Sequence, residues 1–331
     1  MTDMAGEKPR ISIVVEGYNE SNFLGTAEDT LKGLQLQDFP LDQVEVILIG
    51  SSIQAREWNK LLPRWKSFLN VQVLGVDGAH YFHQKNKGAQ VAAGDIIAFA
   101  DSDVFPKPAW LSSLVAGINN GADMVVGPSL YQSKWFGPDT AFMQAAASIS
   151  WGFVVGKGKS RRELAPVNCL SHNVAFRSDV FRRFQYRTDL GRTCSPTLLM
   201  AGIAEAGGQI SLRADQQVVH VFFSWRWWLS RLHFRYGYEV HLLRRLDHTY
   251  PNQWITRTKV LEPLVTMAWH IMLDVPRWFR FSRVLGIGAL RRWALLPIVM
   301  VMSTAARGFE MAGMYSTLLA PQVMKRWAET N

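Results

Sequence analysis

"IIAFADSDVFPKPAWL", Ile96 to Leu111, is the stretch on which the reading of the fold turns. Ile96 to Ala100 is a short run of apolar and small residues and reads as a buried strand. Asp101-Ser102-Asp103 hangs off its C-terminal end, and Pro106 and Pro108 stop the run. Carboxylates placed there either cap a neighbouring element or hold a cation. Two of them one residue apart, on the loop after a parallel strand, can jointly meet a divalent metal and the phosphates it neutralises. A lone D-x-D is common and often only structural, so the surrounding chain has to decide.

Upstream, strands and helices alternate. Ile11 to Val15, Val44 to Ile49 and Val71 to Val76 read as strands. Asn22 to Leu36, Gln54 to Leu69 and Lys85 to Ala93 carry helical spacing between them. Such repetition implies right-handed crossovers and a mainly parallel sheet, with ligands at the C-terminal strand ends. Tyr18, Ser51 and Asp101 all fall at such ends. From Asp123 to about His220 the pattern is mixed, with strands at Met124 to Val126 and Asn173 to Phe176. Helices are read at Ala141 to Ser150 and Leu198 to Ala206.

The composition then changes. Of a net charge of +9 over 331 residues, the stretch Val218 to Arg292 holds 12 Lys/Arg against 4 Asp/Glu, with six of the thirteen tryptophans. Basic residues interleaved with Trp suit an anionic surface whose headgroups meet hydrocarbon. Nucleic acid is the rival anion, but no nucleic-acid module is readable, and none is expected as a partner. From Ser224 to Arg245, Trp225, Trp228, Leu229, Leu232, Tyr236, Val240, Leu243 and Leu246 share one helical face spanning roughly 120°. That face either packs on the domain or docks on a membrane. Two apolar stretches follow, Leu264 to Val275 and Trp293 to Ala306. The second is bounded by Arg291-Arg292 and Arg307 and falls short of the roughly 20 residues of a spanning helix, so it reads as interfacial, re-entrant or buried. Two cysteines, Cys169 and Cys194, are too few for a disulfide framework and point to a reducing compartment. The opening MTDMAGEKPR lacks an apolar signal region, so the cytoplasmic side is expected.

Four segments in order resemble the family 2 glycosyltransferases of GT-A fold, over roughly residues 11 to 235. "ISIVVEGYNE" resembles the first strand and its P-x-Y-N-E turn. "VEVILIGSS" stands where the family has a strand ending in D-D-G-S. "HQKNKGAQVAAGDIIAFADSDVFPKPAWL" resembles A-R-N-x-G-x-x-x-A-x-G-D-(apolar)-D-x-D-x-x-P. "SHNVAFRSDVF" resembles G-x-N-x-A-F-R-R.

The resemblance implies a nucleotide-diphosphate sugar as donor and Mg²⁺ or Mn²⁺ as cofactor. Carried over by position, Glu16, Tyr18, Glu20 and Ser51 would line the nucleoside, and Lys85 would stand near the diphosphate. Asp101 and Ser102 would face the ribose and metal side. Asp103 would ligate the metal with Asp101, His220 at the end of "QQVVH" would be a third ligand, and Asn173 would lie near the donor sugar. The leaving group is a nucleoside diphosphate, so catalysis needs charge neutralisation there, and an inverting enzyme needs a base for the acceptor hydroxyl.

Departures from the family pattern are specific. Glu16-Gly17 replaces Pro-Thr, and Gly50-Ser51-Ser52 replaces the aspartates after the second strand. The acidic pair that supplies the base falls on Ser195-Pro196, which leaves Asp189, His172 and Glu205 as candidates. The Q-x-x-R-W of processive synthases has only "FSWRWW" as its likeness, so single-sugar transfer is expected.

The expected molecule is therefore an α/β GT-A domain over residues 10–222 followed by a basic, Trp-rich, membrane-associating helical region over 223–331. It would be a hexosyltransferase, inverting, working at the cytoplasmic face of a membrane on a lipid-linked or other glycan acceptor. The alternative is a degenerate family member that binds nucleotide sugar and serves as a membrane scaffold without transfer.

Overall fold

The computed structural model describes residues 10–18, 26–78, 80–158, 164–248 and 250–330. In chain order the elements are β1 (Ile11–Glu16), α1 (Ala27–Gln35), β2 (Val44–Gly50), α2 (Ser52–Trp65), β3 (Asn70–Gly75), α3 (Tyr81–Val91), β4 (Ile96–Asp101) and β5 (Val104–Pro106). Next come α4 (Trp110–Asn119), β6 (Met124–Val126), β7 (Ser129–Gln132), α5 (Ala141–Trp151), β8 (Val155–Lys157), β9 (Leu164–Pro166), β10 (Val174–Arg177), α6 (Ser178–Phe184), α7 (Cys194–Glu205), β11 (Ile210–Leu212) and β12 (Val218–Val221). A short α8 (Trp225–Trp227) runs through a π-helical turn, Trp228–His233, into α9 (Phe234–Leu246). The chain closes with α10 (Glu262–Val284), α11 (Ala289–Leu319) and α12 (Pro321–Thr330).

The chain divides into two compact units. The first comprises the chain up to Ser129, Cys169–Thr188 and Leu199–Val221. Its centre is a seven-stranded sheet in the order β11-β6-β10-β4-β1-β2-β3. β1 pairs in parallel with β2 and β4, β2 with β3, and β6 with β11, while β10 runs antiparallel between β4 and β6. This is the mixed, mainly parallel sheet that the strand–helix alternation implies. The central strands are buried on both faces, which is why β1, β2 and β4 read as unbroken apolar runs. Leu31 and Leu34 from α1, Trp58 and Trp65 from α2, and Trp110 and Leu114 from α4 complete one core with them.

Local signals set the helix starts. Thr26 and Asp29 form a capping box at α1, which begins at Ala27, later than the Asn22 read from spacing; 19–25 lie outside the described residues. Ser51 and Gln54 form the same device at α2, which starts at Ser52 and ends by Trp65.

The second unit comprises Leu130–Asn168, Asp189–Leu198 and the chain from Phe222 onward. It is helical, with the β8–β9 hairpin as an antiparallel pair. The helical face beginning at Trp225 takes the packing alternative: Trp228, Leu232, Val240 and Leu243 are buried, and the Trp228 indole N–H donates to Ser150 Oγ at 2.8 Å. Helices α9 and α11 approach so closely that a Cβ on Gly237 or Gly313 would strike the backbone of the facing helix at 2.0 and 1.9 Å.

Helix α11 is 31 residues long, far longer than the 14-residue apolar stretch in its N-terminal half, and is long and apolar enough to cross a membrane by length and composition. Arg307 does not end it, because its guanidinium turns inward. It binds both oxygens of Asp274 at 2.8 and 2.9 Å and Glu310 at 2.7 Å, and Ser303 Oγ donates to Asp274 at 2.6 Å. A buried charge with this many partners is tolerated where an isolated one is not.

Candidate active site

The loop after β4 is held from several sides. Glu16 and Asp101, the last residues of β1 and β4, stand opposite each other in the parallel register. The Ser102 N–H donates to the Glu16 carbonyl at 3.1 Å. Thr30 Oγ1, from α1, donates to the carbonyls of Asp101 and Val104 at 3.1 and 2.8 Å. β12 pairs antiparallel with β5, setting His220 opposite Val104, and the Val221 N–H donates to the Asp103 carbonyl at 3.1 Å. Strand pairing between segments a hundred residues apart thus brings His220 to the aspartates.

The two aspartates have different surroundings. Asp101 is buried and faces α3, where Lys85 Nζ lies 2.6 Å from one oxygen and the Tyr81 hydroxyl 2.8 and 2.9 Å from the two. Tyr81 also meets Ser171 Oγ at 2.8 Å. Burial alone would raise the Asp101 pKa, but the Lys85 charge, the positive charge that His172 carries when protonated and the hydrogen bonds from Lys85 and Tyr81 outweigh it and bring it down to about 2. Asp101 is therefore a fixed anion. Lys85, fully buried, is its counter-charge.

Asp103 faces His220, with Oδ2 and Nε2 3.4 Å apart. His220 Nδ1 lies 2.9 Å from the Val221 carbonyl. A carbonyl can only accept, so Nδ1 carries the proton in the neutral ring and Nε2 presents its lone pair towards the carboxylate. With the ring neutral, the pair offers two acceptors to a shared cation. Among the described residues, no group of three or more His, Cys, Asp or Glu side chains is placed to hold a metal. The donor set fits a divalent ion completed by phosphate oxygens and water, since Mg²⁺ commonly takes only one or two protein carboxylates beside substrate phosphates.

The remaining predicted residues fall as follows. His172 is close to this group: its ring centroid is 5.3 Å from that of His220, and its Nε2 is 2.9 Å from Ser129 Oγ. Glu16 is buried and accepts the Tyr18 N–H at 2.6 Å, and the half-buried Tyr18 ring stands edge-on to Tyr81 at 6.4 Å. Ser51 serves as the α2 cap, and Ser102 is buried within the loop. Asn173 is buried with both ends of its amide engaged. Its oxygen accepts from the Trp110 indole at 2.8 Å, and its nitrogen donates to the Pro128 and Gln216 carbonyls at 2.9 and 3.0 Å. Glu205 is exposed at the end of α7; Asp189 is exposed in the second unit. Glu20 lies outside the described residues.

Sequence reasoning passed over Tyr81, Thr30, Gln54 and Trp58. Tyr81 had a signal, standing four residues before Lys85 on the same helical face. Trp58 had a subtler one in the two unusual glycines. A Cβ on Gly17 would lie 2.4 Å from the Trp58 ring and one on Gly50 2.8 Å from it, while Gln54 Nε2 donates to the Gly17 carbonyl at 2.6 Å. The departures at Gly17 and Gly50 are therefore one feature, a tryptophan laid across two strand ends.

The model of "Glycosyl transferase family 2" matches residues 12–184, just over half of the chain. The chain belongs to glycosyl transferase family 2. Similar proteins include the glucosyl-dolichyl phosphate glucuronosyltransferase of Haloferax volcanii, 23% identical over 197 residues, covering 55% of this chain and 61% of that protein. The glycosyltransferase AglE of the same organism is 27% identical over 128 residues, covering 38% of this chain and 40% of its own length. In both cases the matched region spans less than two thirds of the relative. Among solved structures, a mannosyltransferase from Pyrobaculum calidifontis in complex with GDP-Man and Mn²⁺ superposes with a TM-score of 0.58 at 17% identity, covering 95% of this chain and 88% of that one. Residues 1–349 of TarS from S. aureus, with UDP-GlcNAc, give 0.50 at 15% identity, covering 95% and 92%. The fold of this family 2 chain is GT-A.

Ser195-Pro196, where the resemblance sets the family's acidic pair, lies in the first turn of α7. Ser195 is buried there. A different carboxylate serves that loop within the second unit: Glu239, on α9, accepts the N–H groups of Arg192 and Thr193 at 2.9 Å each.

Proposed function

We propose that this protein is a glycosyltransferase that moves one sugar from a nucleotide-diphosphate sugar to a lipid-linked or membrane-proximal glycan acceptor. The observation that carries the donor half is the Asp103–His220 pair, with Oδ2 and Nε2 3.4 Å apart at the C-terminal edge of β4. These two residues would hold Mg²⁺ or Mn²⁺. A bound divalent ion would supply charge neutralisation for the departing diphosphate.

The chain's own residues divide the remaining work. Glu16 fixes the turn that presents Tyr18, and Trp58 with Gln54 forms the floor beneath it, so the nucleoside end rests on preformed backbone. Lys85 and Tyr81 keep Asp101 anionic and immobile, which keeps negative potential behind the metal position. Of the three base candidates, His172 is the one close to Asp103 and His220. In the proposed transfer, the acceptor hydroxyl gives its proton to the His172 ring and its oxygen bonds the anomeric carbon. The bond from that carbon to the diphosphate breaks on the opposite face, giving inversion. Ser129 Oγ then accepts from the imidazolium Nε2–H, and the Asp101 charge favours that imidazolium.

A scaffold reading, in which nucleotide binds without transfer, draws its support from the buried Ser195 where the acidic pair is missing. Calorimetry with UDP and GDP, with and without Mn²⁺, joined to a transfer and hydrolysis assay over a panel of nucleotide sugars, separates the readings. Metal-dependent binding lost in Asp103→Asn and in His220→Ala, with transfer lost in His172→Ala, supports the enzyme. Intact metal-dependent binding with no turnover of any donor supports the scaffold.

A further inference from the structure

The second unit carries an exposed apolar face that sugar transfer does not use. Helices α10 and α11 pack together with Asp274, Arg307 and Glu310 between them and turn their other sides outward. Met272 is 66% exposed on α10; Trp293 and Val301 are 63% and 72% exposed on α11. The Phe279 and Trp293 rings meet at 4.7 Å, so the face is continuous from one helix to the other.

Aromatic rings mark both ends of it. At one end Arg291 donates to the Asp139 carbonyl, which joins α11 to the loop bearing the exposed Trp135 and Phe136. Phe142 and Trp225 continue that run at ring separations of 6.3 and 6.2 Å. At the other end Trp254 stands edge-on to Trp269 at 5.7 Å.

Charge is equally one-sided. Between Tyr250 and Phe309 there are eight Lys/Arg and two acids, Glu262 and Asp274, and both acids are buried. Arg257, Lys259, Arg283 and Arg291 in this stretch are exposed.

We infer that this face rests on an anionic phospholipid bilayer, with α10 and α11 lying along the boundary between headgroups and acyl chains. Aliphatic side chains bounded by Trp, Phe and Arg, with Asp139 the exposed carboxylate of the loop at one end, match that boundary in polarity and in net charge. The spacing of the aromatic ends on α10, rather than the length of α11, favours lying on the bilayer over crossing it. Trp269 and Phe279, the α10 rings of the two aromatic ends, are ten residues apart. At about 1.5 Å per residue that is roughly 15 Å, half of the ~30 Å hydrocarbon core. The inference rests on the membrane half of the proposed function and is independent of the sugar chemistry. It also relocates the contact: the face beginning at Trp225 that the sequence offered for docking is largely interior.

The test is flotation of the full chain with vesicles of phosphatidylcholine and phosphatidylglycerol, and with phosphatidylcholine alone. The chain should float with the mixed vesicles and far less with the neutral ones. Met272→Glu with Val301→Glu should weaken partitioning at least roughly tenfold, since a carboxylate is costly at that depth and repelled by the lipid. Ile53→Glu, an equally exposed site in the first unit, should float as the parent does. UDP and GDP binding by calorimetry should be the same in all three proteins. Undiminished flotation of the double variant, or equal flotation with neutral vesicles, overturns the proposal. A chain that ignores vesicles but dimerises in sedimentation equilibrium, and is dissociated by the double substitution, overturns it in favour of a second copy as the occupant. Loss of nucleotide binding in the parent chain would count against the transferase reading alone.

Discussion

Trp58 lies across the ends of β1 and β2, and this makes a quantitative prediction. A Cβ added at Gly17 would stand 2.4 Å from Trp58 Cη2 and 2.8 Å from Cζ2, where ordinary contacts run at 3.4–4 Å. The ring would have to retreat by about 1 Å, a shift that a close-packed interior resists. It has little room to do so, being 5% exposed and packed in the core of the first unit. Overpacking of this kind costs about 1–3 kcal/mol, so Gly17→Ala should lower stability by about 2 kcal/mol. Because Glu16 and Tyr18 flank the displaced turn, nucleoside diphosphate binding should weaken as well. Trp58→Phe removes the atoms that clash, at a cavity cost of its own of about 1–2 kcal/mol. In the double variant the added methyl occupies space that the shorter ring has vacated. A double-mutant cycle by urea unfolding should therefore show a favourable coupling of at least about 1 kcal/mol. Additive single effects, agreeing within about 0.5 kcal/mol, would refute the claim that the two glycines exist to admit the indole.

Three further outcomes are expected. Lys85→Met leaves the Asp101 carboxylate buried without its cation and should cost about 3–5 kcal/mol in thermal unfolding; adding Asp101→Asn should recover much of the loss. Glu239→Ala removes the acceptor for the Arg192 and Thr193 N–H groups and should cost about 2–4 kcal/mol, while Glu239→Gln, which keeps one acceptor oxygen, should cost less. The third concerns pH. Burial holds the His233 pKa down at about 3 against 6.5 for a free ring. Below pH 6.5 the unfolded chain takes up a proton that the native chain refuses, so stability falls by about 1.4 kcal/mol per pH unit until the folded value is reached. Between pH 7 and pH 5 the parent should lose about 2 kcal/mol more than His233→Phe, read from urea midpoints at the two pH values.

Much of the fold was legible along the chain, and for one reason. β1, β2 and β4 are buried on both faces, and a strand so placed must be apolar throughout, so a window of six residues suffices to find it. The position of Asp101 and Asp103 at the end of β4 followed from the same run, and the order of four motifs matched the family whose fold the structure shows.

Partnerships, in contrast, were set by contacts distant in sequence. Asp101 and Asp103 are alike in the string "DSD", yet one is locked to Lys85 and Tyr81 while the other faces His220. That difference arises because α3 lies against one side of the β4 end and β12 pairs with β5 on the other. Gly17 and Gly50 looked like two separate departures until Trp58 joined them. The amphipathic run from Trp225 was real, but periodicity reports only that a face is apolar. Whether protein or water covers that face is settled by the other helices. In this chain they bury Trp228 and leave Met272 and Val301 uncovered.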